Sequence, residues 1–363
     1  VCQIARRPRR THHNELKKMA DPRLDRYARQ SLYPPIGREG QERLLASRAL
    51  VCGCGALGSV IASTLARAGV GHLRIVDRDF LELNNLQRQV LFDEDDLAAG
   101  LPKAVAAERK LRRINSQIEI EAHVADVNSE NVLALSEGVD VIVDGTDNFE
   151  IRFLLNDVAI SQNIPWVYGG CIGAEGQTLT ILPGETPCLR CLMQEAPPPG
   201  TMPTCDTAGI VAPIIGVIAS IESMEAIKIL AGRRDAVSRK LAVIDLWDNG
   251  LRQVKVDVLR QDGGCETCGQ RQFPWLAGER GSHSAVLCGR NAVQIHPPRG
   301  ERIDLAALEQ KLTALGQVQR NPFLMRFAVD DYELTIFPDG RAIIGGTNDI
   351  AAARTIYSRY VGA

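Results

Sequence analysis

The 363-residue chain has no uninterrupted apolar run of 18 residues. Its most apolar stretch, Ile210 to Leu230, contains Glu222, Glu225, Lys228 and Pro213, so a membrane span is excluded and a buried helix is expected. Net charge is nearly absent as well. The 42 Lys+Arg and 44 Asp+Glu leave −2, which argues against a general polyanion or nucleic-acid binder. No internal repeat occurs, and the only low-complexity tract is Pro197-Pro198-Pro199. Residues 1–18 lack a hydrophobic segment: six basic residues stand against Glu15, so they are no signal peptide. An Arg-rich start also suits a transit peptide or a nucleic-acid arm. Because ordered-looking sequence begins just after Met19, translation is expected to start there, leaving residues 1–18 (+5) outside a working protein of −7.

What is present is an ordinary globular mix, 45% apolar and 24% charged, long enough for one large domain with an appendage or for two domains. A strand at Ala49 to Gly53, a helix at Ala56 to Ala68 and a strand at His72 to Asp77 form a βαβ unit. Pro102 suits the first position of a further helix. Strands at Ile118 to Val124 and Val139 to Asp144 alternate with helical stretches. The expected class is therefore α/β, a Rossmann-like, mostly parallel sheet with helices on both faces. A long Pro-, Gly- and Thr-rich loop from Pro183 to Gly209 is expected to be functional. The polar stretch after Gln270 marks a boundary, giving a domain over 19–270, a linker over 271–284 and a small α+β module over 285–363. Within that module the pattern predicts a strand at Ala285 to Ile295, a helix at Leu305 to Leu315, strands around Pro338-Asp339-Gly340 and a helix at Ile350 to Tyr360.

Gly53-Cys54-Gly55-Ala56-Leu57-Gly58 is a G-x-G-x-x-G loop between strand and helix, where phosphate can approach a helix N-terminus. Asp77, at the end of the next strand, is placed to accept ribose hydroxyls. NAD is the first reading of these features alone. The following segments point instead to phosphoryl or nucleotidyl transfer. Asn84-Asn85-Leu86-Gln87-Arg88-Gln89 and Lys103 supply amides and cations where a triphosphate would lie, and Asp147 with Asn148 offers a carboxylate for magnesium.

These residues resemble the ThiF/MoeB/HesA family, bacterial relatives of the ubiquitin-activating enzymes. The matching features are Arg26 to Gln30, the glycine loop, Asp77, Asn85 to Gln89, Pro102-Lys103, Thr146-Asp147-Asn148, Thr204-Cys205, Ala208-Gly209 and two cysteine pairs, spanning about residues 26 to 270. The resemblance implies that ATP binds at Gly53, Gly55, Ala56 and Gly58, with Asp77 on the ribose. It places Asn85, Arg88 and Lys103 at the phosphates, Asp147 at Mg2+, and Asn84 and Asn148 within the cofactor-binding set. Arg29 is similar to a family arginine that reaches ATP across the interface of a homodimer. Ala56 stands where the commoner form has a second glycine. The implied reaction is attack of the C-terminal glycine carboxylate of a ubiquitin-like sulfur carrier, ending in Gly-Gly, on the ATP α-phosphate. Molybdopterin or thiamine synthesis would use the product, with a sulfurtransferase or cysteine desulfurase as sulfur donor.

Cys188-x-x-Cys191 and Cys265-x-x-Cys268 have the ligand type and spacing of a structural tetrahedral Zn2+. Ten cysteines without a secretory signal fit the cytoplasm better than a disulfide framework. Cys205 precedes the buried helix, where a thiolate is favoured. Relatives carry a cysteine here that is proposed to form a thioester or acyl disulfide with the carrier, while others finish at adenylation. Cys52, Cys54, Cys171 and Cys288 are expected to pack, and Cys2 falls in the leader. The final module carries no metal or nucleophile constellation, and carrier docking or oligomerisation is its expected role. Its end, Val361-Gly362-Ala363, is not that of a carrier. Two rival functions share the nucleotide motif: a tRNA-modifying family member that cyclises a threonylcarbamoyl base, and an NAD-dependent oxidoreductase.

Overall fold

In a computed structural model of the chain, residues 22–197, 205–260, 263–280, 284–287, 291–295 and 302–362 are described. The basic leader with Cys2 and Met19, together with Thr204 and Cys288, lies outside them. Two short helices, α1 (Ala28–Ser31) and α2 (Gly37–Ala46), lead into strand β1 (Arg48–Cys52). Consecutive apolar residues in β1 serve two cores: Ala49 and Val51 enter one cluster, Leu50 and Cys52 another. A strand covered on both faces needs that continuous apolar run. Helix α3 (Ala56–Ala68) lays Leu57, Ile61 and Leu65, four residues apart, on the first cluster. It stops at Gly69, whose φ of +84° takes the left-handed capping conformation. Strand β2 (His72–Val76) then returns parallel to β1.

The pattern continues through α4 (Glu94–Ala98), α5 (Lys103–Ile114), β3 (Glu119–His123), α6 (Val132–Ser136), β4 (Val141–Asp144), α7 (Phe149–Gln162) and β5 (Trp166–Ile172). Strand β6 (Glu175–Ile181) turns back antiparallel. After α8 (Leu189–Leu192), α9 (Cys205–Ala208) and the long α10 (Ala212–Leu230), the hairpin β7 (Lys240–Asp245) and β8 (Gly250–Lys255) ends the sheet. The eight strands lie in the order β3-β2-β1-β4-β5-β6-β7-β8, the first five parallel. Helices α3, α5 and α10 cover one face, α6 and α7 the other. No helix among the described residues is long and apolar enough to cross a membrane.

A second, fully antiparallel sheet follows, ordered β11-β12-β13-β14-β10-β9. Its elements are β9 (Ser284–Leu287), β10 (Ala292–Ile295), α11 (Leu305–Leu312), β11 (Gln317–Arg320), β12 (Met325–Val329), β13 (Tyr332–Ile336), β14 (Ala342–Gly345) and α12 (Ile350–Tyr360). Leu308, Leu312, Ile356 and Tyr357 from its two helices share a core with Phe327, Leu334 and Ile344. Three expectations need correction. The run 285–295 is a hairpin of two strands, β9 and β10 pairing antiparallel, with Asn291 just before β10 at a positive φ of +45°. Pro102 is the N-cap of α5 rather than its first helical residue; its ψ of 145° is extended, and Lys103 opens the helix. The described part of the expected linker, 271–280, is docked: Trp275 is buried against Phe153, and Asp157 of α7 accepts hydrogen bonds from Trp275 and Leu276 N–H at 3.0 and 3.3 Å.

Candidate functional site

Winding changes direction between β1 and β4, so a crevice opens past the C-terminal ends of these strands, the usual place for a ligand in such a sheet. Three glycines close-pack at its floor. A Cβ on Gly58 would lie 1.8 Å from the Gly53 carbonyl, one on Gly53 2.7 Å from the Gly145 carbonyl, and one on Gly145 2.8 Å from Gly58 Cα. Gly53 also has a φ of +85°. The sequence reading identified Gly53 and Gly58 but not Gly145, which closes the triangle from β4. Gly55 differs. On its open side the nearest atom is Gln89 Nε2 at 3.8 Å, so the loop backbone and the N-terminus of α3 are open to an incoming anion. Gln89 Oε1 is buried without a hydrogen-bond partner beside this space. The open backbone of the loop and the α3 N-terminus fit a bound nucleotide phosphate, whereas the Gln89 oxygen is an acceptor and suits a donor on the ligand. Substituting Gly58→Ala drives a methyl into fixed backbone, and calorimetry is expected to find about 3 kcal/mol of lost stability.

The β2 loop supplies the next layer. Asp77 accepts from Cys54 N–H at 2.6 Å and Asp79 N–H at 2.7 Å, which ties the loop to the glycine turn. Its carboxylate retains further lone pairs for ribose hydroxyls. Burial pushes Asp77 above the usual carboxylate range, and the Lys103 charge opposes that rise. Lys103 is almost fully buried, with Nζ 3.5 Å from Asp79 Oδ2 and its N–H bonded to the Asp79 carbonyl at 2.9 Å. Asp79 was not singled out from sequence, although it lies two residues after Asp77.

Asn85 is buried and spends its amide locally: Oδ1 accepts from Glu82 N–H and Nδ2 donates to Asn84 Oδ1. Arg88 is half-buried and donates to the Asn84 carbonyl at 2.7 Å. Asp147 is exposed just past β4, and Asn148 caps α7 by accepting from Glu150 N–H at 2.8 Å. As a hard oxygen ligand, Asp147 would suit Mg2+.

Arg29 is not brought to this crevice. It is exposed on α1, and its neighbour Gln30 donates to the Ala68 carbonyl at the far end of α3. Twelve helical steps of 1.5 Å separate that end from the glycine loop, about 18 Å. Cys205 opens the four-residue α9, and its side chain lies outside the described residues.

Behind Asp147 stands a buried network that sequence reasoning missed. Arg152 of α7 lies 3.4 Å from Asp144 Oδ2, donates to the Thr146 and Gly169 carbonyls at 2.7 and 3.1 Å, and faces the Tyr168 ring. Glu222 of α10 is fully buried with both oxygens unpartnered, and Gly169 leaves it space; a Cβ there would lie 2.3 Å from its Cδ. Burial, then the Asp144 charge, pushes the Glu222 carboxyl well up, which favours its protonated form, while the Arg152 charge opposes the rise. The network fixes the backbone that presents Asp147.

The four sequence-selected cysteines converge, all ligand atoms lying within 4.8 Å of one another. Sulfur separations of 3.8, 3.7 and 3.4 Å are close to the roughly 3.8 Å between vertices of a tetrahedron with 2.3 Å Zn–S bonds. Cys188 is pushed far up by hydrogen bonds with Cys191 and Cys265, while Cys268 is drawn down by those from Cys188 and Cys191. A divalent cation would replace those shared protons. Adjacent residues of α7 hold both knuckles: Asn156 accepts from Leu189 N–H and Asp157 from the Thr267 hydroxyl. Cys52 and Cys54 are buried and Cys171 packs beside the first core, as expected.

Comparison with known proteins gives the family. The ThiF family model matches residues 27–267. The sulfur carrier protein ThiS adenylyltransferase of Bacillus subtilis is 45% identical over 338 residues, covering 93% of this chain and 99% of that protein. A sulfur carrier protein adenylyltransferase of Thermus thermophilus is 38% identical over 251 residues, 68% of this chain and 91% of that one. Among solved structures, E. coli MccB with ATP is similar at a TM-score of 0.56 and 23% identity, covering 64% of this chain and 68% of that one, a likeness of fold. A model match over well over half the chain, joined to these relatives, shows that the chain belongs to the ThiF family.

Proposed function

We propose that this protein is an ATP-dependent adenylyltransferase that activates the C-terminal glycine carboxylate of a ubiquitin-like sulfur carrier of the ThiS type. The observation that carries the choice of carrier is the length of the match to the Bacillus ThiS adenylyltransferase. Its 338 residues exceed the 267 that precede the end of the family match, so the shared sequence runs into the C-terminal module. The Thermus relative matches over 251 residues. A carrier serving molybdopterin synthesis is the second reading, since the nucleotide chemistry is common to both. The tRNA-modifying and NAD-dependent readings find no support among these relatives.

In the proposed step a carboxylate oxygen attacks the α-phosphorus, the bond to the bridging α–β oxygen breaks, and pyrophosphate leaves. The nucleophile is already ionised at neutral pH, so no general base is required. The chain's contribution is alignment and charge. Asp77 holds the ribose, the α3 N-terminus and Lys103 face the phosphates, and Arg88 adds a second cation. Asp147 would hold Mg2+, which neutralises phosphate charge, with Asn148 and Asn84 beside it. Because Arg29 sits beside Gln30, which bonds the end of α3 remote from the glycine loop of its own chain, it serves the site of a second copy in a homodimer. Cys205 opens a short helix at the end of the long loop, where a transfer thiol would meet the activated carboxyl; the sulfur would come from a cysteine desulfurase or sulfurtransferase. Seven cysteines outside any disulfide among the described residues suit the cytoplasm.

Carrier-stimulated exchange of labelled pyrophosphate into ATP tests the reading. A ThiS-type carrier ending in Gly-Gly is expected to stimulate exchange more than a MoaD-type carrier, and removal of its last glycine to abolish the effect. Stimulation by the MoaD-type carrier alone would overturn the choice of carrier, and none by either would overturn the function.

A further inference from the structure

The C-terminal module touches the first sheet at few points, and these converge. Arg341 Nη2 donates to the Arg78 carbonyl at 3.2 Å. The Phe337 ring meets Phe80 with centroids 5.9 Å apart. Gln294 Nε2 donates to Asp126 Oδ2 at 2.8 Å, and the other oxygen of Asp126 receives Arg78 Nη1 at 2.9 Å. Asn321 Nδ2 donates to the Gly100 carbonyl at 3.1 Å. Every one of these contacts ends on the loop 78–80, on the carboxylate that holds it, or on the residue pair before Pro102. Asp77 and Asp79 flank Arg78 in the chain, Phe80 pairs with Pro102 as an isolated β-bridge, and Lys103 follows.

The docking element is the β13–β14 turn, which the sequence marked only as a turn. It is braced from within the module: Tyr357 of α12 donates to the Gly340 carbonyl at 2.7 Å, and Ile303 N–H to that of Pro338 at 2.9 Å. Arg341 is 1% exposed, its guanidinium 3.6 Å from the Phe337 ring centroid and Nε 3.8 Å from Asp339 Oδ2, with neither Nε nor Nη1 in a hydrogen bond. A buried guanidinium with one good hydrogen bond is costly to stability. A module that needed only to attach would do better with an apolar side chain there.

We propose that the module positions the nucleotide loop, with Arg341 as the principal positioning residue, so that the Asp77 carboxylate and the Asp79–Lys103 pair stand ready for ATP before it arrives. The role rests on the reading of this loop as part of the ATP site. It replaces carrier docking as the function of the module.

The test measures KM for ATP, KM for carrier and kcat in pyrophosphate exchange, with ATP affinity measured directly by calorimetry. Arg341→Met keeps the stacking bulk and removes the donors; it is expected to raise KM for ATP about tenfold while kcat and carrier KM stay within about twofold. Arg341→Lys is expected to recover part of the loss. Gln294→Leu, which removes the hydrogen bond to Asp126 and keeps the side-chain volume, is expected to shift KM for ATP in the same direction. Lys311→Ala, at an exposed position of α11, serves as the control without effect. Folded Arg341→Met and Gln294→Leu with unchanged KM for ATP, or a rise in carrier KM instead, would overturn the proposal. A wild-type chain that fails to bind ATP would overturn the ATP-site reading itself.

Discussion

Lys103→Ala is expected to reduce carrier-dependent pyrophosphate exchange by about 10²- to 10³-fold, the usual loss when one preorganised charge is removed from a transition state. Two effects combine at this position. The ammonium is buried at the opening of α5, so it faces phosphate from a dry wall rather than from a solvated surface. It also opposes the rise of the Asp77 pKa and sits 3.5 Å from Asp79. Without it, the two carboxyl groups keep only Arg78, 3.8 Å from Asp79, as counter-charge, Asp77 rises further, and its protonated form is a poorer acceptor for ribose hydroxyls. Both KM for ATP and kcat should therefore worsen, unlike the KM-only signature of Arg341→Met. Arg88→Ala should lose less, because Arg88 is half-buried and leans on the Asn84 carbonyl. Undiminished exchange in both folded variants would show that the phosphates lie elsewhere.

The parts of this site that were legible in the sequence are those whose chemistry is local. The glycine loop, Asp77 and Lys103 each sit at the junction of a strand or loop with a helix, and the apolar periodicity of β1, α3 and β2 places those junctions. Arg152, Glu222 and Gly145 were not legible for the opposite reason. Arg152 reads as one more polar residue on a helix until β4 and β5 bring Asp144, Thr146 and Gly169 around it. Glu222 reads as a surface interruption of an apolar helix, yet it is fully buried under Gly169. In the module, α12 was placed residue for residue, but the polar edge strand β11, exposed along most of its length, carries no apolar alternation and was missed.

The module's docking shows the same limit from another side. Phe337-Pro338-Asp339-Gly340-Arg341 is a turn by its residue types, and Gly340 does adopt a φ of +83°. Nothing in that pattern reveals that the residues at its two ends, Phe337 and Arg341, face Phe80 and the Arg78 carbonyl some 260 positions earlier. Pairings of that separation depend on which faces two sheets present to each other, and no local periodicity encodes it.

Removing the metal is the second change with a large expected effect. The chain between the two cysteine pairs is 73 residues long, and it contains α10, β7 and β8. Tying its ends through four thiolates restricts the unfolded chain by about 4 kcal/mol on loop-closure grounds alone. For a protein of this size that is a loss of about 5 °C in Tm when a chelator strips the site or Cys265→Ser opens it. The loss should stop short of complete unfolding, because Arg190 pairs with Glu266 across the knuckles and α7 grips both through Asn156 and Asp157. The cysteines are also remote in chain position from the glycine loop and Lys103, and four thiolates leave no open coordination position for substrate. ATP affinity measured well below the lowered Tm is therefore expected to persist. Metal analysis should find one zinc per chain. A chelator and Cys265→Ser that both leave Tm unmoved would show that the four thiols hold no structural metal, and lost ATP affinity in the still-folded variant would show that the metal centre is coupled to the nucleotide site.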